Sequence, residues 1–196
     1  MIRARTRVIL SLMLFVSTIG CIMFRRTVCI VPASSVPKGL EVFRRNHIHH
    51  PGSAIPLHST IIGEFFDYGD LTDAVLARLE RLAAAFGPFE YVAESVCAFP
   101  TSRALWLSPS PQGPFEKITE ALYGAFPQFR SDRAFPTYHM TVAYNSEESA
   151  SEELANRFLE EFKSEMPIGL VADELAIYGE DDGNWAHLFS ATFGDG

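Results

Sequence analysis

Two short segments of the chain carry a histidine followed two positions later by a threonine. The first, "LHSTII", contains His58 and Thr60, and the second, "YHMTVA", contains His139 and Thr141. Apolar residues surround both pairs, a composition typical of a strand. Because residues i and i+2 of a strand point to the same face, each segment presents one imidazole and one hydroxyl together.

Two such strands lying side by side would place two imidazoles and two hydroxyls around one cleft. One imidazole can serve as general base and the other as general acid, since an unperturbed pKa of about 6.5 suits both roles near neutrality. The threonine hydroxyls can donate hydrogen bonds to phosphoryl oxygens as negative charge develops on them. The pattern therefore predicts chemistry on a phosphodiester or cyclic phosphate, with His58, Thr60, His139 and Thr141 as catalytic residues.

A single histidine on an apolar strand is most often structural, so one copy of the motif carries little weight. The second copy changes the balance, because both copies lie on predicted strands in equivalent places of a repeated layout. The sequence therefore favours one paired site over two unrelated structural histidines.

The predicted elements repeat around the motifs. A strand, "TVCIVP", and a short helix, "KGLEVFRRNH", precede the first motif strand. A helix follows it, with an apolar stripe of Leu71, Val75, Leu79, Leu82 and Phe86 and with Asp70 as its N-cap. Two strands, "FEYVAESVCAFP" and "RALWLSP", come next.

The second half of the chain follows the same order. A helix over residues 114–125 precedes the second motif strand, and a helix opened by a capping box from Ser149 to Glu152 follows it. The chain closes with "IGLVADELAIYG" and "WAHLFSATFG", expected as two strands of a hairpin. We predict an α+β fold of two pseudo-symmetric lobes, each an antiparallel sheet packed with helices, with the active-site cleft between them.

Composition limits the class of partner. The chain has 196 residues, is 47% hydrophobic and carries a net charge of −8. From Thr27 onward there are 11 basic and 24 acidic residues, a balance of −13. Binding to long nucleic acid depends on lysine and arginine at the phosphates, so we expect no long duplex partner and instead a nucleotide or short RNA end. Three scattered cysteines predict neither a disulfide framework nor a zinc site.

The N-terminus forms a separate segment. Residues 8–24 are an uncharged run of 17 between arginines, near the lower limit for a membrane-spanning helix and long for a signal-peptide core. Either residues 1–26 are an anchor or signal, or translation begins at Met23 and the run is an artefact. We expect a domain over residues 27–196 and a cytoplasmic protein, with membrane anchoring through residues 8–24 as the alternative.

The segments "HSTI" and "HMTV" match the doubled His-x-Thr/Ser motif of the two-histidine phosphoesterases. The chain therefore resembles this family, and within it the 2'-5' RNA ligase-like proteins. The resemblance extends over residues 27–194. It implies metal-independent, cofactor-free opening of 2',3'-cyclic phosphates, cleavage of 2'-5' linkages, or the reverse ligation, by a protein expected to be monomeric. By analogy with the family, His139 is assigned as base and His58 as acid.

Two residues depart from the family pattern. Ser59 occupies a position that is usually hydrophobic, and we expect it to face away from the cleft. Tyr144 stands where family members often carry an arginine, which places RNA ligation in doubt and predicts an aromatic substrate-binding residue. Arg133 and Arg103 are the nearest cationic candidates, although each is more typical of a solvated surface.

Two alternatives from other classes remain open. The chain could be a catalytically idle nucleotide-binding or membrane-tethered scaffold that keeps the fold. It could also be a metal-dependent hydrolase that uses His47, His49 and His50, although contiguous histidines in a loop lack the geometry of a closed ligand set. His187, on the last predicted strand, is expected to be structural.

Overall fold

The structure is a computed structural model that describes residues 26–49, 54–99, 101, 103–131, 137–144, 146, 151–181 and 184–195. The strands and helices of this part of the chain follow the predicted order except near the C-terminus, where one expected strand is two. They are β1 (Arg26–Pro32), α1 (Lys38–His47), β2 (His58–Ile62), α2 (Asp73–Ala83), β3 (Phe89–Phe99), β4 (Ala104–Ser110), α3 (Gly113–Ala125), β5 (Met140–Tyr144), α4 (Glu152–Phe162), β6 (Ile168–Ala172), β7 (Glu174–Asp181) and β8 (Asn184–Thr192).

The strands form two four-stranded sheets. The first has the order β2-β1-β7-β8 and the second the order β5-β4-β3-β6. All neighbouring strands within the sheets are antiparallel. The first motif strand, β2, is an edge of the first sheet, and the second motif strand, β5, is the corresponding edge of the second. The predicted α+β fold of two similar lobes is confirmed.

The segment expected as one strand near the C-terminus is two strands, and this part of the prediction is wrong. β6 pairs with β3 in the second sheet, whereas β7 pairs with β1 in the first. Asp173 lies between them, and its carbonyl accepts a hydrogen bond from the backbone N–H of Phe193 (2.8 Å). The chain therefore changes sheets at Asp173, and β7 and β8 complete the lobe that β1 and β2 began.

Two helix starts also differ from expectation. Asp70 ends a short 3₁₀ turn, Tyr68–Asp70, and α2 is capped instead by Thr72, whose hydroxyl accepts from the N–H of Val75 (3.4 Å). At α4 the cap is the Ser151 hydroxyl, which accepts from the N–H of Leu154 (3.0 Å). Ser149, the expected cap, lies outside the described residues. Several polar residues near each start can cap a helix, and the turn before it selects one.

The helices bury their apolar stripes in one continuous core that also receives the inner faces of both sheets. Burial of apolar surface is the main favourable contribution to folding, so the position of the sheets is determined by this core. Its helical members are Leu40, Phe43, Leu79, Ala83, Phe115, Ile118, Leu122, Tyr123, Leu154, Phe158 and Phe162.

Within the described part of the chain, no helix has the length and apolar composition needed to cross a membrane. The hydrophobic residues 8–24 precede that part. The assignment of residues 1–26 as a leader remains a prediction.

Candidate active site

The first motif lies where β2 begins. His58 and Thr60 are half-buried, whereas their neighbours Leu57, Ser59 and Ile61 are buried. This alternation is the period of a strand with one face in the core. The motif side chains therefore occupy the opposite face of the first sheet, together with Ile30, which pairs with Thr60. We call the face of each sheet that carries the motif side chains the site face.

The second motif repeats this arrangement. His139 immediately precedes β5, and both His139 and Thr141 are half-buried. Between and beside them, Tyr138, Met140 and Val142 are completely buried. The hydroxyl of Tyr138 shares a hydrogen bond of 2.7 Å with the hydroxyl of Thr119 on α3, which anchors the segment that holds His139.

The fold brings the two motifs together. The edge strands β2 and β5 contact each other although they belong to different sheets. The positive charge of His139 contributes to lowering the pKa of His58, so the two imidazoles lie within electrostatic range. All four predicted catalytic side chains thus lie on adjoining edges of the two lobes.

The two imidazoles are oriented in the same way. Nδ1 of His58 lies 2.7 Å from the carbonyl oxygen of Pro56, and Nδ1 of His139 lies 2.8 Å from the carbonyl oxygen of Thr137. Because a carbonyl only accepts hydrogen bonds, Nδ1 carries the proton in both rings. In the neutral form, each Nε2 therefore keeps a lone pair with which it can accept a proton.

A β-bulge follows the threonine in both motifs. In the first sheet, consecutive residues Cys29 and Ile30 pair with Ile62 and Thr60, so β2 has one extra residue, Ile61. In the second sheet, Leu105 and Trp106 pair in the same way with Ala143 and Thr141, so the extra residue of β5 is Val142. Bulges redirect the side chains that follow them and are common next to active sites.

The bulge decides the position of Tyr144. Tyr144 lies three positions after Thr141, an offset that in a regular strand would place their side chains on opposite faces. Tyr144 pairs with Ala104, and Thr141 pairs with Trp106, two residues further along β4. Because of the bulge, Tyr144 therefore lies on the site face with Thr141. Its predicted contact with substrate stays a prediction.

Aromatic rings surround His139 on the site face of the second sheet. Phe99 and Trp106 are stacked with their centroids 4.7 Å apart, and their rings lie edge-on to His139 at 5.2 and 5.7 Å respectively. We call Phe99, Trp106 and Tyr144 the aromatic wall. Trp106 is only 8% exposed, and its Nε1 has no hydrogen-bond partner within the described residues.

Among the described residues of the first lobe, the aromatic rings on the site face are those of Tyr178 and Trp185, which pack with Ile30 and lie on β7 and β8 rather than beside β2. The residue that corresponds to Tyr144, three positions after the motif threonine, is Gly63. A Cβ added at Gly63 would lie 4.0 Å from Cγ2 of Thr60, so this position also adjoins the motif threonine. The two edges of the site therefore differ at this position, with a tyrosine at the second lobe and a glycine at the first.

Ser59 faces away from the site, as expected. It pairs with Val31, a core residue, and is completely buried. Its hydroxyl has no hydrogen-bond partner among the described residues. The departure from the family pattern at this position thus affects packing behind the motif and not the motif face.

The main site residue that the sequence analysis missed is Arg44. It lies on α1, is only 5% exposed, and donates to the carbonyl of Thr141 (3.2 Å). The sequence does indicate that Arg44 is buried, because it lies one position after Phe43 and four after Leu40, on the buried stripe of α1. A charge on an apolar stripe is uncommon because burying it unpaired is costly.

Burial and Arg44 together alter His58. Loss of hydration lowers the pKa of His58 to about 4, the hydrogen bond to Pro56 opposes this effect, and the charges of Arg44 and His139 lower the pKa further. Near neutral pH, His58 is therefore in its neutral form.

The lowered pKa predicts a pH-dependent stability. Between about pH 6.5 and about pH 4, an unfolded chain binds a proton at His58 that the folded chain does not, so the free energy of unfolding falls as the pH falls. We expect wild type to lose about 2–3 kcal/mol relative to His58→Asn between about pH 7 and pH 4.5. Urea unfolding of both proteins at the two pH values measures this difference. An equal fall in the free energy of unfolding of wild type and His58→Asn would contradict the prediction.

The remaining histidines have other environments. His47 donates from Nδ1 to the carbonyl of Phe43 (2.8 Å), and its Nε2 accepts from Arg157 (2.9 Å), so both ring nitrogens are engaged. His49 is exposed, and His50 lies outside the described residues. In the described part, no group of three or more His, Cys, Asp or Glu residues is arranged to hold a metal ion.

His187 is exposed, packs edge-on to Tyr178 at 5.2 Å and shares a hydrogen bond of 2.8 Å with Ser190. It lies on β8, the opposite edge of the first sheet from His58. Arg103 is exposed next to β4, and Arg133 lies outside the described residues.

Comparison with known proteins agrees with the geometry. The profile of the 2'-5' RNA ligase superfamily matches residues 31–184, a span that includes both motifs. A search of curated protein sequences gives no significant match.

Solved structures with this fold cover most of the chain. Escherichia coli LigT complexed with 3'-AMP has a TM-score of 0.54 at 15% identity, over 86% of this chain and 98% of LigT. A phosphoesterase has a TM-score of 0.54 at 17% identity, over 87% of this chain and 98% of its own. Protein TT0787 of Thermus thermophilus has a TM-score of 0.57 at 14% identity, over 85% and 97%. These structures show the fold, and the profile match over residues 31–184 shows that the chain belongs to the 2'-5' RNA ligase superfamily.

Proposed function

We propose that this protein is a phosphodiesterase that hydrolyses a 2',3'-cyclic phosphate, or a related 2'-5' phosphodiester, at a nucleotide or RNA end. The observation that carries the proposal is the pair of half-buried imidazoles on the adjoining edges of two lobes, each with Nδ1 bonded to a carbonyl. With Nδ1 engaged, each ring exchanges protons through Nε2, and this suits a displacement at phosphorus, which needs one imidazole with a free Nε2 lone pair as base and one protonated at Nε2 as acid.

In the proposed reaction, Nε2 of His58 removes a proton from water as the water oxygen attacks phosphorus. The bond from phosphorus to one ribose oxygen then breaks, and that oxygen takes a proton from His139. The lowered pKa of His58 supports this assignment, because a base must begin unprotonated. It is the reverse of the roles that the family resemblance implies.

The threonine hydroxyls complete the proposed site. Thr60 and Thr141 share the site face with the two imidazoles, so their hydroxyls can donate to the non-bridging oxygens of the same phosphate. These oxygens gain charge as water attacks, and a donor fixed in advance stabilises that charge without reorganising.

The asymmetry of the site suggests how the substrate lies. Nucleobases stack on aromatic side chains, which are found here in the aromatic wall of the second lobe. LigT, which has the same fold, has been crystallised with 3'-AMP. We therefore place the nucleoside at the second lobe and the attacking water towards Gly63, where no side chain occupies the position that Tyr144 holds in the second motif.

A substrate with a good leaving group separates the two histidine roles. p-Nitrophenolate departs without protonation, so loss of the general acid matters little for a nucleotide p-nitrophenyl ester. We expect His139→Ala to retain most activity on this ester while losing it on a cyclic nucleotide, and His58→Ala to lose activity on both. Steady-state rates on the two substrates give the answer, and the opposite pattern would restore His139 as the base.

Removing the aromatic wall should weaken nucleotide binding. Each base that stacks on a ring contributes about 1–3 kcal/mol, so removing a half-buried ring in Phe99→Leu or in Tyr144→Leu should raise KM for a cyclic nucleotide by about 5- to 150-fold. Tyr144→Phe keeps the ring and serves as the matched control. Unchanged KM in both leucine variants would show that the nucleoside lies elsewhere.

The proposal is tested by incubating the purified protein with a chelator and a panel of 2',3'-cyclic nucleotides and 2'-5' dinucleotides. Turnover of at least one class is expected, because neither proton-transfer group needs a metal. A protein that binds these compounds without turnover would be the idle scaffold. Activity that chelation abolishes and added metal restores would point to the metal-dependent alternative.

A further inference from the structure

Arg44 connects the two motif segments through their backbones. Its Nε donates to the carbonyl of Thr141 (3.2 Å), and its Nη2 donates to the carbonyl of Ile55 (3.1 Å). Thr141 is a motif residue in β5, and Ile55 precedes β2 by three positions. One planar guanidinium therefore donates hydrogen bonds to backbone carbonyls on both sides of the site.

The contact at Ile55 lies close to the support of His58. Ile55 is followed directly by Pro56, whose carbonyl accepts the hydrogen bond from Nδ1 of His58. A shift of this backbone would move the ring that depends on it. The contact at Thr141 acts in the same way on the second motif, since Thr141 is two residues from His139.

Arg44 also brings charge to the site. Its Nη1 lies 3.4 Å from a carboxylate oxygen of Glu41, whose side chain is 36% exposed, whereas the Arg44 side chain is 6% exposed. The exposed carboxylate compensates the buried cation only in part. Arg44 on α1 and His139 before β5 are the charged or titratable groups that act on His58, and both disfavour its protonated form.

We propose that Arg44 is a positioning residue, which holds the two motif segments at their working separation and supplies the buried positive charge beside His58. It contacts neither the substrate nor the reacting atoms and acts through the backbone of both motifs. The inference rests on the proposed function only where a reaction rate is measured.

The geometry requires arginine in particular. Three acceptors lie around one guanidinium, on Thr141, Ile55 and Glu41, and the rigid planar fork of arginine donates in several fixed directions. A lysine at this position keeps the charge but presents one compact ammonium on a flexible stem. Arg44→Lys therefore separates the effect of charge from the effect of position, and Arg44→Met removes both.

The experiment measures the titration of His58 and the reaction rate in the same variants. Imidazole ¹³C resonances report the pH at which His58 protonates without any need for activity. We expect the pKa of His58 to rise above about 4 in Arg44→Met, by only part of the whole shift because burial remains the largest cause, and to stay low in Arg44→Lys. Arg45→Met, which alters an exposed arginine of the same helix, should change neither titration nor rate.

On a cyclic nucleotide, we expect kcat to fall about 10- to 100-fold in both Arg44 variants, because a small displacement of reacting groups is costly. If Arg44→Lys has the kcat of wild type, the positioning role is overturned. This test does not depend on whether Arg44→Met folds. If His58 protonates at the same pH in a folded Arg44→Met variant as in wild type, the electrostatic role of Arg44 is overturned.

The two proposals fail in distinguishable ways. If wild type turns over no cyclic phosphate but Arg44→Met still raises the titration of His58, the phosphodiesterase proposal fails and the electrostatic role of Arg44 stands. If wild type is active and the Arg44 variants match it in both measurements, the role of Arg44 fails alone.

Discussion

Replacing either motif histidine by alanine should lower kcat/KM for a cyclic nucleotide by about 10²- to 10⁴-fold, the usual contribution of a positioned acid or base. In the proposed mechanism, His58 and His139 act on one phosphate in a single step. The double variant should therefore be little worse than the more damaged single variant, since groups that act as a unit do not contribute additively. Steady-state kinetics on wild type, the two single variants and the double variant measures the change in kcat/KM.

His187→Ala is the matched control for these variants. It removes the same type of side chain from the same sheet, but at the opposite edge, and its activity should remain at the wild-type level. Retention of full activity by either motif variant would exclude a paired mechanism. A double variant whose defect is the product of the two single defects would indicate that the histidines act in separate steps.

Replacing the motif threonines by valine should have the second-largest effect. Thr60→Val and Thr141→Val keep the shape and the strand preference of the side chain and remove only the hydroxyl. Loss of one donor to a developing anion costs about 10²- to 10³-fold in kcat. We expect this loss with a nearly unchanged melting temperature, measured on the same preparations.

Serine substitutions control for shape at both positions. Thr60→Ser and Thr141→Ser restore the hydroxyl and should recover most of the lost rate. If the serine variants are as slow as the valine variants, the methyl group and not the hydroxyl is the important part, and the threonines are structural.

Much of the site could be predicted because it depends on local rules. The two-residue period of a strand places His58 with Thr60, and His139 with Thr141, without any knowledge of the fold. The alternation of half-buried and buried residues around both pairs follows from the same period. The doubling of the motif then indicated a shared site, which no single histidine could have done.

Features that depend on pairing between distant segments could not be predicted. Tyr144 lies on the site face only because of a bulge, and a bulge appears only when β5 is aligned with β4. The change of sheet at Asp173 has the same origin, since no local signal distinguishes it from a continuous strand.

Arg44 is an intermediate case. Its position on the apolar stripe of α1 was visible in the sequence, but its acceptors were not. Thr141 lies 97 positions away in the chain, and the acceptor carbonyls belong to the backbone, which carries no residue-specific signal. A buried arginine on an amphipathic helix is thus a sign that the fold supplies partners, although it does not say which.

The central claim is that water attacks a phosphorus held between His58 and His139. Its most direct test is a single-turnover reaction of a 2',3'-cyclic nucleotide in H₂¹⁸O with a chelator present, followed by mass spectrometry of the product. The account predicts one ¹⁸O atom in the product phosphate with wild type, and none above background with His58→Ala or His139→Ala. Binding of the cyclic nucleotide by wild type without incorporation of ¹⁸O would contradict it.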